Sequence, residues 1–172
     1  MLSEKQLKIF AFSHTSYDGL ICSGSVRSGK TSVMAIAFVD WAMENFDKTN
    51  FAICGKTVGS CIKNVVEPYL SIKYHKNKGY NIKFTRSDNK IVINFKDKTN
   101  IFYLYGGRDN SSYSLIQGIT LGGVLFDEVA LMPRSFVEQA IARCSITGSK
   151  FWFNCNPEHP HHWFYLEWIQ KA

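Results

Sequence analysis

Three groups of residues in this chain have the types and spacing for chemistry on a phosphate. The first is Gly24-Ser25-Val26-Arg27-Ser28-Gly29-Lys30-Thr31, which fits the phosphate-binding pattern G-x-x-x-x-G-K-[ST]. Its two glycines let the backbone turn tightly and aim N–H groups at phosphate oxygens. The helix that follows adds its positive dipole end. In such a loop Lys30 reaches the β- and γ-phosphates of ATP, and the Thr31 hydroxyl ligates Mg2+. The second group is Val124-Leu125-Phe126-Asp127-Glu128, an apolar run that ends in two acids. An acid at the carboxyl end of a parallel strand beside the loop's own strand holds Mg2+, usually through its water shell. The adjacent Glu128 would orient and deprotonate an attacking water. The third is Phe151-Trp152-Phe153-Asn154-Cys155-Asn156-Pro157. A polar residue at the tip of this strand, Asn154 or Asn156, would touch the γ-phosphate and sense its loss. Together the groups predict direct attack of water on ATP, with no covalent intermediate.

The elements that must position these residues are legible as a pattern. Leu20-Ile21-Cys22 reads as a strand before the loop, and residues 33–43 as a buried helix after it. Ser3 caps a first helix that carries Leu2, Gln6, Leu7, Ile9 and Phe10. Gln6 lies about 18 residues before Gly24, and its amide offers the donor and acceptor that adenine's N6/N7 edge requires. Phe51–Cys54 is a second strand, followed by a helix over residues 58–70 that Pro68 interrupts. This β–α–β–α run implies a parallel sheet with crossover helices. Residues 81–85, 90–95 and 100–105 switch to antiparallel strands joined by tight turns. Gly106–Ser112 reads as a loop, Leu121–Phe126 as a buried strand, and Pro133 opens a helix that runs to about Arg143. Residues 150–155 form the last strand.

The chain of 172 residues is 45% hydrophobic and 15% aromatic, as a single globular domain should be. No apolar run is long enough to span a membrane, and the first residues lack a signal peptide's apolar core. Five scattered cysteines form no C-x-x-C pair; Cys22, Cys54 and Cys155 read as buried thiols of a reducing compartment. The tract His159-Pro160-His161-His162 has no acid or cysteine at metal-ligand spacing. Between Lys73 and Lys98 eight Lys or Arg face only Asp88 and Asp97, so this stretch carries the whole formal charge of +6. A basic patch on an otherwise neutral domain points to a polyanion such as DNA, with Lys83, Arg86, Lys90 and Lys96 as candidate contacts.

Gly24–Thr31, Gln117-Gly118-Ile119-Thr120 running into Phe126-Asp127-Glu128, and Phe153-Asn154-Cys155-Asn156-Pro157-Glu158-His159-Pro160 with Trp163-Phe164 resemble the large terminase subunit of tailed bacteriophages. The resemblance spans nearly the whole chain and keeps motif order. It implies an α/β fold, a three-layer P-loop NTPase of the RecA-like (ASCE) type, with a mainly parallel central sheet and an antiparallel β insertion. The implied function is an ATP-hydrolysing motor domain that drives double-stranded DNA into a procapsid in the bacterial host cytoplasm. Its implied partners are DNA, a small terminase subunit, a portal protein and further copies of itself in a ring. Carried over, Lys30 and Thr31 form the P-loop pair, Asp127 is the Mg2+ acid, Glu128 the catalytic base and Asn156 the coupling residue. Arg27 would contact the γ-phosphate or a neighbouring subunit. Arg108 and Arg143 are candidates for an arginine acting in trans. The family's large subunits also carry a nuclease domain with clustered carboxylates. That domain is not expected within these residues, and neither is DNA cleavage. Two other readings stay open: a nucleotide-binding assembly module with little turnover alone, and a helicase-like DNA-dependent ATPase.

Overall fold

The computed structural model describes residues 1–24, 29–156 and 162–172. At its centre is a seven-stranded sheet in the order β1-β7-β6-β2-β5-β4-β3. The strands are β1 Gly19–Ser23, β2 Asn50–Gly55, β3 Asn81–Thr85, β4 Lys90–Phe95, β5 Lys98–Gly106, β6 Gly123–Phe126 and β7 Lys150–Cys155. β1, β7, β6, β2 and β5 run parallel, and β4 and β3 continue the sheet antiparallel. This is the expected mainly parallel sheet with an antiparallel extension.

Alternation along the buried strands splits the apolar residues between two faces. Phe51 and Ile53 of β2 join the cluster under α2 (Lys30–Asn45), whereas Ala52 and Cys54 join the cluster on the opposite face. The first cluster centres on Phe38 and Trp41 of α2, which meet Phe51, Phe102 and Trp152 at centroid distances of 4.9–6.0 Å. α2 is apolar on nearly all sides because it is buried on nearly all sides. On the second face α6 (Asn110–Gln117) packs on β5 and α7 (Arg134–Ala142) on β6. There Phe126 and Phe153 stack in parallel, 5.1 Å apart.

The helical segment after β2 runs as α3 (Val58–Cys61), a π turn (Ile62–Val66) and α4 (Glu67–Ile72). Pro68 falls in the first turn of α4, where its missing N–H does least harm, and the π turn just ahead of it absorbs the break. A short α5 (Tyr74–Lys78) follows. α6 begins inside what the sequence reads as the Gly106–Ser112 loop. Asn110-Ser111-Ser112 are weak helix formers, and packing of the buried Ser112 and Ile116 holds them in a helix.

Candidate nucleotide site

The sequence predicts the Asp127 strand beside the strand of the phosphate-binding loop. The structure corrects this: β7 lies between β1 and β6. The tip of β7 therefore stands between the loop's helix and the acid, and Asn154 joins them. Its Nδ2 donates to Thr31 Oγ1 at 2.9 Å and to Asp127 Oδ1 at 2.7 Å. The Thr31 hydroxyl itself donates to Asp127 Oδ1 over 3.4 Å. Asn154 Oδ1 is buried with no hydrogen-bond partner among the described residues. Asn156 lies one residue beyond β7 and lines a narrow hollow with Ala130, His162 and Phe164.

Asp127 is 4% exposed. Burial pushes its carboxyl above the usual carboxylate range, and the neighbouring Glu128 adds to the rise. The hydrogen bonds from Asn154 and Thr31, with the charge of Lys30, pull it back. Glu128 follows in a left-handed conformation (φ 54°, ψ 46°) and starts a 3-10 turn, Val129–Leu131. A residue with a Cβ holds that conformation at a cost of about 1–2 kcal/mol, so contacts around the turn must enforce it.

Lys30 opens α2, and its ammonium donates to Gly24 O at 2.6 Å and Cys155 O at 3.2 Å. It is thus held between the ends of β1 and β7. Gly29 precedes it at φ 68°, a conformation glycine takes freely, and among the described residues no side chain caps the helix. Ser25, Val26, Arg27 and Ser28 of the loop lie outside the described residues, as do Pro157, Glu158, His159, Pro160 and His161.

Gln6 sits on α1 (Glu4–Ala11) in a capping box. Ser3 N donates to Gln6 Oε1 at 2.9 Å, and Gln6 N donates to Ser3 Oγ at 3.3 Å. The box turns Nε2 toward the loop, where a Cβ on Gly29 would lie 3.5 Å from it. A cleft of about 430 Å3 runs from Gln6 and Ile9 along β1 to Gly24 and Lys30. That volume lies in the range of small-molecule sites. Cys22 lines the cleft, with its thiol pushed up by burial to about 11.

Thr31 Oγ1, Asp127 Oδ1 and the unpartnered Asn154 Oδ1 are all hard oxygen donors. They suit a Mg2+ that keeps most of its waters and takes phosphate oxygens. Thr31 and Asp127 would hold it, and when bound it would neutralise charge on the phosphates.

The two candidate arginines lie at opposite ends of the sheet. Arg108 follows the carboxyl end of β5, on the side of Thr31 and Asp127, and its Nε donates to Leu131 O at 3.0 Å. Arg143 precedes the amino end of β6: its carbonyl accepts from Leu121 N, and its Nη1 donates to Gln117 O at 3.0 Å.

The basic stretch divides between the two faces. In-register pairs Lys83↔Val92 and Lys90↔Tyr103 put Lys83 and Lys90 on the α6 side of the sheet. Arg86 stacks on Phe84 and pairs with Glu67 of α4 at 2.8 Å, while Lys98 donates to the Met43 and Glu44 carbonyls at the end of α2. Lys96 lies at the β4–β5 turn, 5.2 Å over the Phe95 ring.

An open α/β sheet with an uncapped helix after a G-x-x-x-x-G-K-T loop, and an acid and an amide on the neighbouring strand tips, defines a P-loop nucleotide-binding domain. Residues 21–172 match the family model "Terminase large subunit, T4likevirus-type, N-terminal", and the chain belongs to that family. The large terminase of a thermophilic bacteriophage is 52% identical, with a TM-score of 0.94 over 99% of this chain and 43% of that one. The same terminase in complex with ATP-gamma-S is 49% identical, with a TM-score of 0.90 over 100% and 42% of the two chains. The HK97 bacteriophage large terminase shares the fold, with a TM-score of 0.72 at 12% identity over 100% and 36%. The chain thus spans less than half the length of these terminases. No curated protein matches it. Among the described residues, no helix is long and apolar enough to cross a membrane.

Proposed function

We propose that these residues form the ATP-hydrolysing motor domain of a large terminase, which drives double-stranded DNA into a procapsid. The observation that carries the reading is the Thr31–Asn154–Asp127 contact. It unites the P-loop helix, the acid strand and the strand between them at one point, beside Lys30 and Glu128. ATP binds with its phosphates on Lys30 and the α2 amides and its adenine edge against Gln6. Glu128 takes the proton of the attacking water. Lys30 stabilises the charge that develops on the phosphates, and Asn154 holds Thr31 and Asp127 in register.

We assign the mechanical link to this same asparagine, in place of Asn156, to which the resemblance pointed. Asn154 follows Phe153, whose ring packs on Phe126, Phe164 and Trp168 at 5.1–5.5 Å. A shift of Asn154 when the γ-phosphate leaves is passed through that stack to the C-terminal segment. DNA, a small subunit, a portal and neighbouring copies in a ring are the partners this role requires, in the host cytoplasm at the procapsid. Residues 1–172 act as one ATPase domain.

The test is ATP turnover of the assembled motor with DNA and procapsids, across a range of protein concentrations. Turnover should rise with assembly, and Lys30→Ala should abolish both nucleotide binding and turnover. Background turnover in a complete motor would leave a passive nucleotide-binding module.

A further inference from the structure

We propose that Arg108 is a positioning residue for Glu128, acting within its own subunit. The inference rests on the reading of Glu128 as the catalytic base. Glu128 is held in a left-handed conformation by the turn that follows it, in which Leu131 N donates to Glu128 O at 2.9 Å and Met132 N to Val129 O at 3.1 Å. Arg108 Nε caps that turn from outside through its bond to Leu131 O. The arginine has a fixed base. Gly107 N and Arg108 N donate to Gly55 O and Lys56 O at 2.9 and 3.0 Å, and Asp109 Oδ2 accepts from Val58 N at 3.0 Å. The loop also packs against the turn directly, since a Cβ on Gly107 would lie 2.7 Å from Met132 Cγ. The exits of β2 and β5 therefore brace the residues after Asp127, and Arg108 is the strut between them. A left-handed glutamate persists only where its surroundings over-determine it, and this strut is one of the determinants.

Arg108→Ala, Arg108→Lys and the wild type are compared by two readouts. The first is hydrogen exchange of the purified chain. Arg108→Ala should speed exchange of the Leu131 and Met132 amides at least tenfold and leave Val33 in α2 unchanged. Arg108→Lys, which reaches the same carbonyl with Nζ, should restore most of the protection. The second is turnover in the assembled motor, where Arg108→Ala should lower kcat about tenfold with KM for ATP within twofold. Mixed assemblies of Arg108→Ala and Glu128→Gln subunits separate action within a subunit from action across an interface. A residue acting in cis gives no recovery. Recovered turnover would make Arg108 a donor to its neighbour and overturn the proposal, as would unchanged exchange at Leu131 and Met132. If the wild-type motor fails to hydrolyse ATP, the reading of Glu128 as base falls, and the exchange data still decide whether Arg108 holds the turn.

Discussion

β7, β6 and β2 run parallel in the middle of the sheet and bury residues toward both faces, whereas β4 runs antiparallel and buries one face only. On β6 all four residues are buried, while on β4 Ile91 and Ile93 are buried between half-buried Lys90 and Val92. The parallel half is assembled from distant segments: β7, the last strand, inserts between β1 and β6. The antiparallel half is a local meander, with each strand beside its neighbour in sequence. The difference shows where precision is stored. A site that must hold Thr31, Asp127 and Asn154 within hydrogen-bond reach sits where strand tips are locked from both sides. Charged residues that need only a surface sit on the locally folded, half-open strands.

If the parallel half is the catalytic one, Glu128→Gln should leave ATP affinity within about threefold and cut turnover by about 10^2–10^4, the usual worth of a general base. Equilibrium binding and turnover of the same preparation check it, and wild-type turnover would break the assignment. Asn154→Ala should cost about tenfold in turnover and move the acid limb of the pH profile to higher pH. The sign follows from Asp127. Its carboxyl is raised by burial and lowered by the Asn154 bond, so losing the donor raises it further. The ionised form that would serve Mg2+ exists above this pKa and is lost as pH falls through it. An unshifted acid limb would detach Asn154 from Asp127.

Asp127→Asn tests the same burial without nucleotide. A raised folded pKa means the ionised carboxylate costs stability above that pKa. Near pH 7.5 the substitution should therefore raise Tm. The gain should shrink as pH falls through the carboxylate's raised folded pKa and vanish below its unfolded value, and calorimetry across pH decides. The smallest effect belongs to the antiparallel half. Lys83→Ala with Lys90→Ala should lower the slope of log DNA affinity against log salt by about 1.8, since each phosphate contact contributes about 0.9. Arg86→Ala should change it less, because Glu67 already holds that guanidinium. Equal changes would erase the distinction between the two faces.

Much of this was legible from residue types. The loop, the acid pair and the strand–helix alternation carry strong local signals, because glycine conformation, apolar periodicity and turn residues act over short range. The helix at Asn110–Gln117 was not legible: its propensity is poor, and burial against the sheet holds it. Residue spacing left Asn154 and Asn156 open and the resemblance pointed to Asn156, since both lie near one strand end and only the inserted position of β7 brings Asn154 against Thr31 and Asp127. Nor did charge counting reveal that Arg86 and Lys98 answer to α4 and α2, because cross-strand register decides which side chains share a face.

The sequence by itself pointed to a phosphate loop at Gly24–Thr31, to Asp127 and Glu128 at the end of a buried strand, and to a basic meander between them. Those statements rest on the backbone freedom of glycine and on apolar periods, which need no partner. The tertiary structure alone decided which amide meets the acid, which arginine reaches the turn after Glu128, and which lysines share a face. Each of these depends on strand order and register, set by packing among segments far apart in the chain.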